Sequence, residues 1–414
     1  MTVYQFISNN IDRTVKTCGE KSLDGLDIPL IPLPYPFTTP CAEGMFQEMY
    51  YWDTYFTHKC LLLTKREGQV CNNLKNFAYL LEKFGKILNG NRMHYIGRSQ
   101  PPFFGLMLAD LLKAETNFLD VKTAFLWLEK EYEFWMTKRK SDNGLNFYGC
   151  DPIDKETYGD SWYFHEIYVK TYAERTGIFL PETEENNRNV VAECESGWDF
   201  SPRFASKAME YNPVDLNALL YADEMLLADW AQQLGMGEKA FFYHSAAKKR
   251  KDKMSRWMKK DGVYYDYNFV NNTCSQVLSC AAFYPYFTGM DKDMVGFFEV
   301  LKGLEKAHGV VACQTEKKGF QWAEPNSWAP LNYVAAAAAV RLGLKEETKR
   351  LAEKYLAATD KIYKKTGRLW EKYNAETGDL EVASEYGTPE MLGWTAGVYM
   401  AFYHYRESGY KHFI

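Results

Sequence analysis

Two carboxylates sit in segments whose neighbours suit acid–base chemistry on an acetal. Acetal hydrolysis requires one carboxylic acid to protonate the leaving oxygen and one carboxylate to serve the anomeric carbon. The chain holds 54 Asp and Glu, so residue type alone selects none of them, and context must. Asp199 lies in Glu195-Ser196-Gly197-Trp198-Asp199-Phe200-Ser201-Pro202-Arg203-Phe204. Gly197 permits close backbone approach, and Trp198 and Phe200 flank the acid with apolar surface that favours its protonated form. Glu371 lies in Trp370-Glu371-Lys372-Tyr373-Asn374, where Lys372 and Tyr373 are expected to keep it ionised and hydrogen-bonded. An acid held neutral beside a base held charged is the division of labour this reaction needs. The plain alternatives are a helix N-cap for Asp199 and a surface ion pair with Lys372 for Glu371.

Three further segments concentrate polar and aromatic groups. Asn89-Gly90-Asn91-Arg92 is followed by Arg98-Ser99-Gln100-Pro101-Pro102. Pro-Pro suits the first turn of a helix, so donors and acceptors converge just before it. Phe320 to Pro330 holds Trp322 and Trp328 around Pro325, and Tyr50 to Phe56 is an aromatic run with one carboxylate, Asp53. Aromatic residues make up 16% of the chain, with 30 Tyr and 11 Trp. Their flat faces and polar tips suit a sugar, though an aromatic-rich helical core would use them equally well.

These segments need elements to hold them. The dominant period is helical: Phe104, Met107, Leu108, Leu111 and Leu112 repeat at i, i+3, i+4, i+7 and i+8. Leu216, Leu219, Leu220, Ala222 and Leu226 do nearly the same. Further helical windows fall near 46–64, 69–88, 120–138, 159–175, 236–258, 293–307, 328–342, 345–363 and 389–405, with a shorter one at 278–287. The total is about twelve helices. Strict alternation is confined to a hairpin near Gly262 to Asp266, so an all-α domain is expected and a β/α sheet is not. About twelve helices close as six hairpins in a ring with a funnel at one end, or stack as an open solenoid. Pro-rich Asp27 to Pro40 predicts an extended N-terminal arm over 1–45, followed by one catalytic domain over 46–414.

Other classes are disfavoured. The 414-residue chain carries a formal charge of −5 with no long basic run, which argues against a nucleic-acid partner. Lys248 to Lys251 reads as a solvated helix face. No stretch of about 18 apolar residues suggests a membrane span, and no signal-peptide pattern opens the sequence. Nine dispersed cysteines without C-x-x-C spacing predict reduced thiols in the cytoplasm and no zinc site. Seven histidines form no H-x-x-x-H pair, and no metal or other cofactor is expected.

Taken together the segments resemble the trehalases of glycoside hydrolase family 37 and, more loosely, family 63. The matching pieces are Glu48 to Phe56, Asn89 to Arg92, Arg98 to Pro102, Glu195 to Phe200, Val214 to Leu220, Gln321 to Pro330 and Glu371-Lys372-Tyr373, in family order. The resemblance implies an (α/α)6 toroid and an inverting α-glucosidase acting on trehalose or a related small α-glucoside. It implies Asp199 as general acid and Glu371 as general base. Trp52, Asp53, Asn89, Arg98 and Gln100 would hold the glucose to be cleaved, with Gly197 and Trp322 lining the same subsite. Glu385, nine residues before Trp394, matches a family carboxylate near the leaving sugar, and Trp394 is counted with the substrate-binding residues.

Departures from the family pattern fall on the outer subsite. Met45 stands where a trehalase has Arg, and Gly149 to Thr157 lacks the Arg of an Arg-Pro-Glu loop. Asn374 to Ser384 replaces a Gly-rich lid, and Ala323 replaces an Asp. These changes leave open a different aglycone, such as glucosylglycerate or mannosylglycerate. A non-catalytic sugar-binding toroid is the reading from another class; two retained acid–base candidates argue against it.

Overall fold

A computed structural model of the chain describes residues 1–17, 30–152, 168–316, 319–382 and 387–413. Fourteen α-helices lie among them. In chain order they are α1 (Val3–Asn10), α2 (Tyr51–Leu63), α3 (Glu67–Phe84), α4 (Phe104–Lys113), α5 (Val121–Lys138), α6 (Tyr168–Thr176) and α7 (Glu184–Glu195). Then come α8 (Val214–Gln233), α9 (Gly237–Trp257), α10 (Tyr284–Phe287), α11 (Met294–Leu304), α12 (Ala329–Arg341), α13 (Lys345–Thr366) and α14 (Gly393–Glu407).

Burial sorts the helices into two layers. Eleven of the thirteen residues of α2 are buried, and so are eleven of the thirteen in α12. Only five of the twenty-one in α9 are. A helix buried all round belongs to an inner layer, and one with a single apolar stripe to an outer layer. Contacts run in order through α2, α4, α8, α10, α12 and α14, and α14 returns to α2. Helices α3, α5, α9 and α13 each follow an inner helix and pack outside it, and α11 follows α10 and meets it where Phe297 packs edge-on against Tyr286 at 5.7 Å. The result is the (α/α)6 ring expected, closed rather than solenoidal. The hairpin near 262–266 is present as the short strands Lys259–Lys260 and Val263–Tyr264.

Two elements differ from expectation. The first forty-five residues are not simply extended. Thr2 caps α1 in a capping box with Gln5, and α1 packs outside α14. Tyr4 stacks on Tyr403 at 4.9 Å, and Phe6 meets Tyr363 at 5.2 Å. The first helix thus supplies the outer partner that α14 lacks. Val15 and Lys16 then pair with Thr38 and Phe37, which leaves residues 30–40 extended along the barrel. Helix α7 carried no sequence signal: its first half, Glu-Glu-Asn-Asn-Arg-Asn, is polar, and Val190, Val191, Ala192 and Cys194 are bunched at its end.

The ring closes where α14 lies directly on α2. A Cβ on Gly397 would stand 1.9 Å from the Phe56 carbonyl oxygen, and one on Gly393 would stand 2.9 Å from the Cα of Pro40. Gly397→Ala therefore forces the two helices apart and is expected to cost ~3 kcal/mol or more, read as a lower urea midpoint. Gly237→Ala, whose Cβ meets nothing within 4 Å, is the control and should hold or slightly raise the midpoint.

Candidate active site

The N-terminal ends of the inner helices α2, α12 and α14 meet at one cavity. Trp52 and Asp53 occupy the first turn of α2. Trp394 is the second residue of α14, and Trp328 precedes α12. The Asn89–Arg98 loop braces the start of α2: the Tyr51 amide donates to the Asn89 carbonyl at 3.1 Å, and the Asn89 amide to the Arg98 carbonyl at 3.1 Å. The Trp52 amide donates to Gln100 Oε1 at 3.2 Å. The cavity has a volume of about 250 Å³. Its wall includes Trp52, Asp53, Asn89, Arg98, Gln100, Gly197, Asp199, Trp322, Glu371 and Trp394. Every site residue anticipated from the sequence is therefore brought to one place except Glu385, which lies outside the described residues.

Aromatic rings form the floor. Trp322 stacks on Trp328 at 3.8 Å with planes 3° apart and on Trp198 at 5.4 Å. Trp52 packs against Trp322 and Trp394 at 5.8 and 5.7 Å. Indole faces of this kind can take a sugar's C–H surface while the carboxylates and amides take its hydroxyls.

The segment bearing Asp199 is held from both sides. Gly197 has φ +75°, and a Cβ there would lie 2.9 Å from the Trp52 indole. The Ser201 amide donates to buried Glu193 at 2.6 Å. Arg203 donates to Asp215 and Asp266 at 2.7–3.1 Å and covers the Trp198 ring at 4.4 Å. Glu195 accepts from the amides of Ser99 and Gly149 at 2.7 and 2.6 Å and from Arg139 at 2.9 Å. That buried carboxylate therefore ties the acid loop to the segment carrying Arg98 and Gln100. Asp199 itself caps no helix; Ser201 caps the short turn that follows it.

Burial raises the Asp199 pKa above the ordinary carboxylate range, opposed by the charges of Arg98 and Arg175. Asp53 is raised well above it by burial and then by the charge of Glu371. On the opposite side, Glu371 is buried and accepts from Lys372 Nζ at 2.6 Å. Lys372 lies over Trp328 at 4.9 Å, and strand pairing of Trp328 with Lys372 fixes that register. The Trp394 indole donates to the Glu371 carbonyl at 3.1 Å. Asp199, pushed toward its neutral form, and Glu371, bound to a cation, face one cavity, the arrangement expected of an acid–base pair.

Some local expectations are corrected. Tyr373 does not reach Glu371; its hydroxyl donates to the His308 carbonyl at 2.8 Å, and the adjacent Lys372 takes the Glu371 carboxylate instead. Met45 is 43% exposed and is not part of the cavity wall, which its neighbour Phe46 joins instead. Residues 153–157 of the stretch lacking Arg lie outside the described residues. So do Ala383 and Ser384 of the segment replacing the lid. Its described part turns back on His308, whose amide donates to the Ala375 carbonyl at 2.8 Å, and adds nothing to the wall. Tyr50, Tyr95, Arg175, Gln321 and Met391 line the cavity without having been singled out. Gln321 donates to the Asp199 carbonyl at 2.6 Å. Arg175 had one available signal: with Tyr168 and Tyr172 it makes an i, i+4, i+7 set.

The sequence matches the model of the family described as Trehalase over residues 3–406. The periplasmic trehalases of Salmonella dublin and Salmonella enteritidis are each 33% identical over 415 residues, covering 93% of this chain and 70% of their own length. Neutral trehalase from Saccharomyces cerevisiae superposes with a TM-score of 0.76 over 98% of this chain and 80% of its own, at 24% identity. A family 63 mannosylglycerate hydrolase from Thermus thermophilus, in complex with glucose, gives 0.65 over 97% of this chain and all of its own, at 14% identity. Those two likenesses concern the fold.

Gly197→Ala tests the fit of the acid loop. The added methyl meets the Trp52 indole at a left-handed backbone position, so kcat/KM on the cleaved α-glucoside should fall by about 10–1,000-fold, with a smaller change in the thermal midpoint. Unaltered activity would mean that the approach of Gly197 to Trp52 does not set the site.

Proposed function

The chain belongs to the trehalase family of glycosidases, and from that premise we propose that it hydrolyses trehalose with inversion at the attacked carbon. The observation carrying this reading is the presence of half-buried Asp199 and buried Glu371 in one tryptophan-floored cavity. One glucose occupies the inner subsite, its ring on the indoles and its hydroxyls shared among Asp53, Asn89, Arg98 and Gln100. Asp199 protonates the glycosidic oxygen as the bond breaks. Glu371 removes a proton from the water that attacks the anomeric carbon from the opposite face. Inversion requires the carboxyls to stand roughly 6.5–9.5 Å apart, with room for that water. The helix ends around the site add positive potential, which stabilises carboxylates there.

The relatives that match at 33% identity carry trehalase names, whereas the mannosylglycerate hydrolase likeness is one of fold at 14% identity. Trehalose is therefore favoured over glycerate-linked sugars. For location, no described helix is long and apolar enough to cross a membrane. The Salmonella relatives are named periplasmic and give the expected cytoplasmic placement no support. Its basis remains the odd, dispersed set of nine cysteines without C-x-x-C spacing.

Time-resolved proton NMR tests the reaction. Attack with inversion on trehalose releases β-glucose and α-glucose in equal amounts at first; α-glucose alone would overturn inversion. Asp199→Asn should lower kcat by at least ~1,000-fold while calorimetry still detects trehalose binding. In the wild type, activity should be lost as pH rises through the raised pKa of Asp199, because the acid must carry its proton. The residual activity of Asp199→Asn should lack that alkaline limb. A limb that survives the substitution would assign the acid elsewhere.

A further inference from the structure

We infer that Arg175 is the specificity-determining residue of the leaving-group subsite, presenting its guanidinium fork to vicinal hydroxyls of a neutral leaving hexose. The assignment rests on Asp199 being the acid. The group that protonates the glycosidic oxygen touches the junction between the two sugars. Side chains on its outward side therefore meet the leaving one.

Helix α6 is placed to do this. Tyr168, Tyr172 and Arg175 fall at i, i+4 and i+7 and share a face. Arg98 Nη2 donates to the Tyr168 hydroxyl at 2.9 Å. The Tyr172 hydroxyl accepts from Ser206 at 2.7 Å, and its ring meets Phe200 edge-on at 4.8 Å. These contacts fix α6 between the segment carrying Arg98 and the acid loop. One turn further on, Arg175 is half-buried, lies over Phe200 at 5.9 Å and joins the cavity wall. Its charge acts on Asp199, as that of Arg98 does. The groups that act on Asp53 are instead Glu371 and Asp199, with no guanidinium among them. Arg175 thus acts on the Asp199 side of the cavity, while Arg98 serves the inner subsite.

The fork matters because a guanidinium spans two acceptors in fixed geometry, while an ammonium is a point donor. Met45 is exposed and away from the wall, and Gly149 to Thr157 contains no arginine. Helix α6 therefore supplies from a different place in the chain the cation those positions lack.

The test separates contact with the leaving sugar from tuning of the acid. Trehalose and cyclohexyl α-glucoside both leave as poor alkoxides that need protonation, but only trehalose offers hydroxyls to Arg175. In Arg175→Ala, kcat/KM on trehalose should fall about 10–100-fold more than on cyclohexyl α-glucoside, through KM as well as kcat. Arg175→Lys, which keeps the charge near Asp199, should recover no more than part of that difference. Equal losses on the two substrates, in either variant, would overturn the assignment and leave Arg175 acting through Asp199 or the fold. A wild type inert on trehalose would instead contradict the trehalose reading. The same comparison on the α-glucosyl disaccharide it does cleave would then decide Arg175 independently.

Discussion

The site depends on two inner helices touching with no side chain between them. Where α14 crosses α2, Gly397 lies against the Phe56 backbone, and the ring of inner helices closes there. A bulkier residue would open the seam that sets Trp52 and Asp53, at the start of α2, beside Trp394, at the start of α14. Trp394 in turn holds the Glu371 carbonyl. The base, the inner-subsite carboxylate and part of the indole floor are thus registered by one backbone contact. The packed ring makes this possible because close-packed interiors transmit such constraints rather than absorbing them.

The second dependence is electrostatic. Burying carboxylates costs free energy unless they are neutral, paired or hydrogen-bonded. The chain uses all three solutions within one neighbourhood. Glu195 and Asp215 are paired with arginines and fix the acid loop. Glu371 is paired with Lys372. Glu193, behind the acid loop, is pushed by burial up to about 8, so it is mostly protonated at neutral pH and adds little negative charge near Asp199. The acid is left with burial pulling its pKa up and two guanidiniums pulling it down. A net upward shift is the direction that the proposed role of Asp199 as proton donor requires.

Much of this was legible in the sequence because the relevant signals are local. Helical periodicity marked most of the inner and outer layers, and the loops holding Asp199 and Glu371 announced themselves by glycine, tryptophan and charge. Three things were not local. Helix α1 reads as an unremarkable N-terminal segment until α14, nearly four hundred residues later, is found to need an outer partner. Helix α7 is buried along a face that includes Asn187 and Asn189, with Asn189 accepting from the distant Met209 amide, so no apolar stripe marks it. Tyr373 reads as a partner of Glu371, but its hydroxyl is taken by the carbonyl of His308, which is remote in the chain. Arg175 was hidden for a related reason: its function comes from how α6 docks on Phe200, which no motif encodes.

The most direct test of the account is a crystal structure of Asp199→Asn with intact trehalose bound. The account predicts one glucose enclosed by Trp52, Asp53 and Arg98, with the glycosidic oxygen within hydrogen-bond reach of residue 199. The Glu371 carboxylate should stand across the anomeric carbon, roughly 6.5–9.5 Å from the side chain at 199. A glycosidic oxygen remote from residue 199, or a separation near 5 Å, would contradict the assignment of acid, base and inversion together.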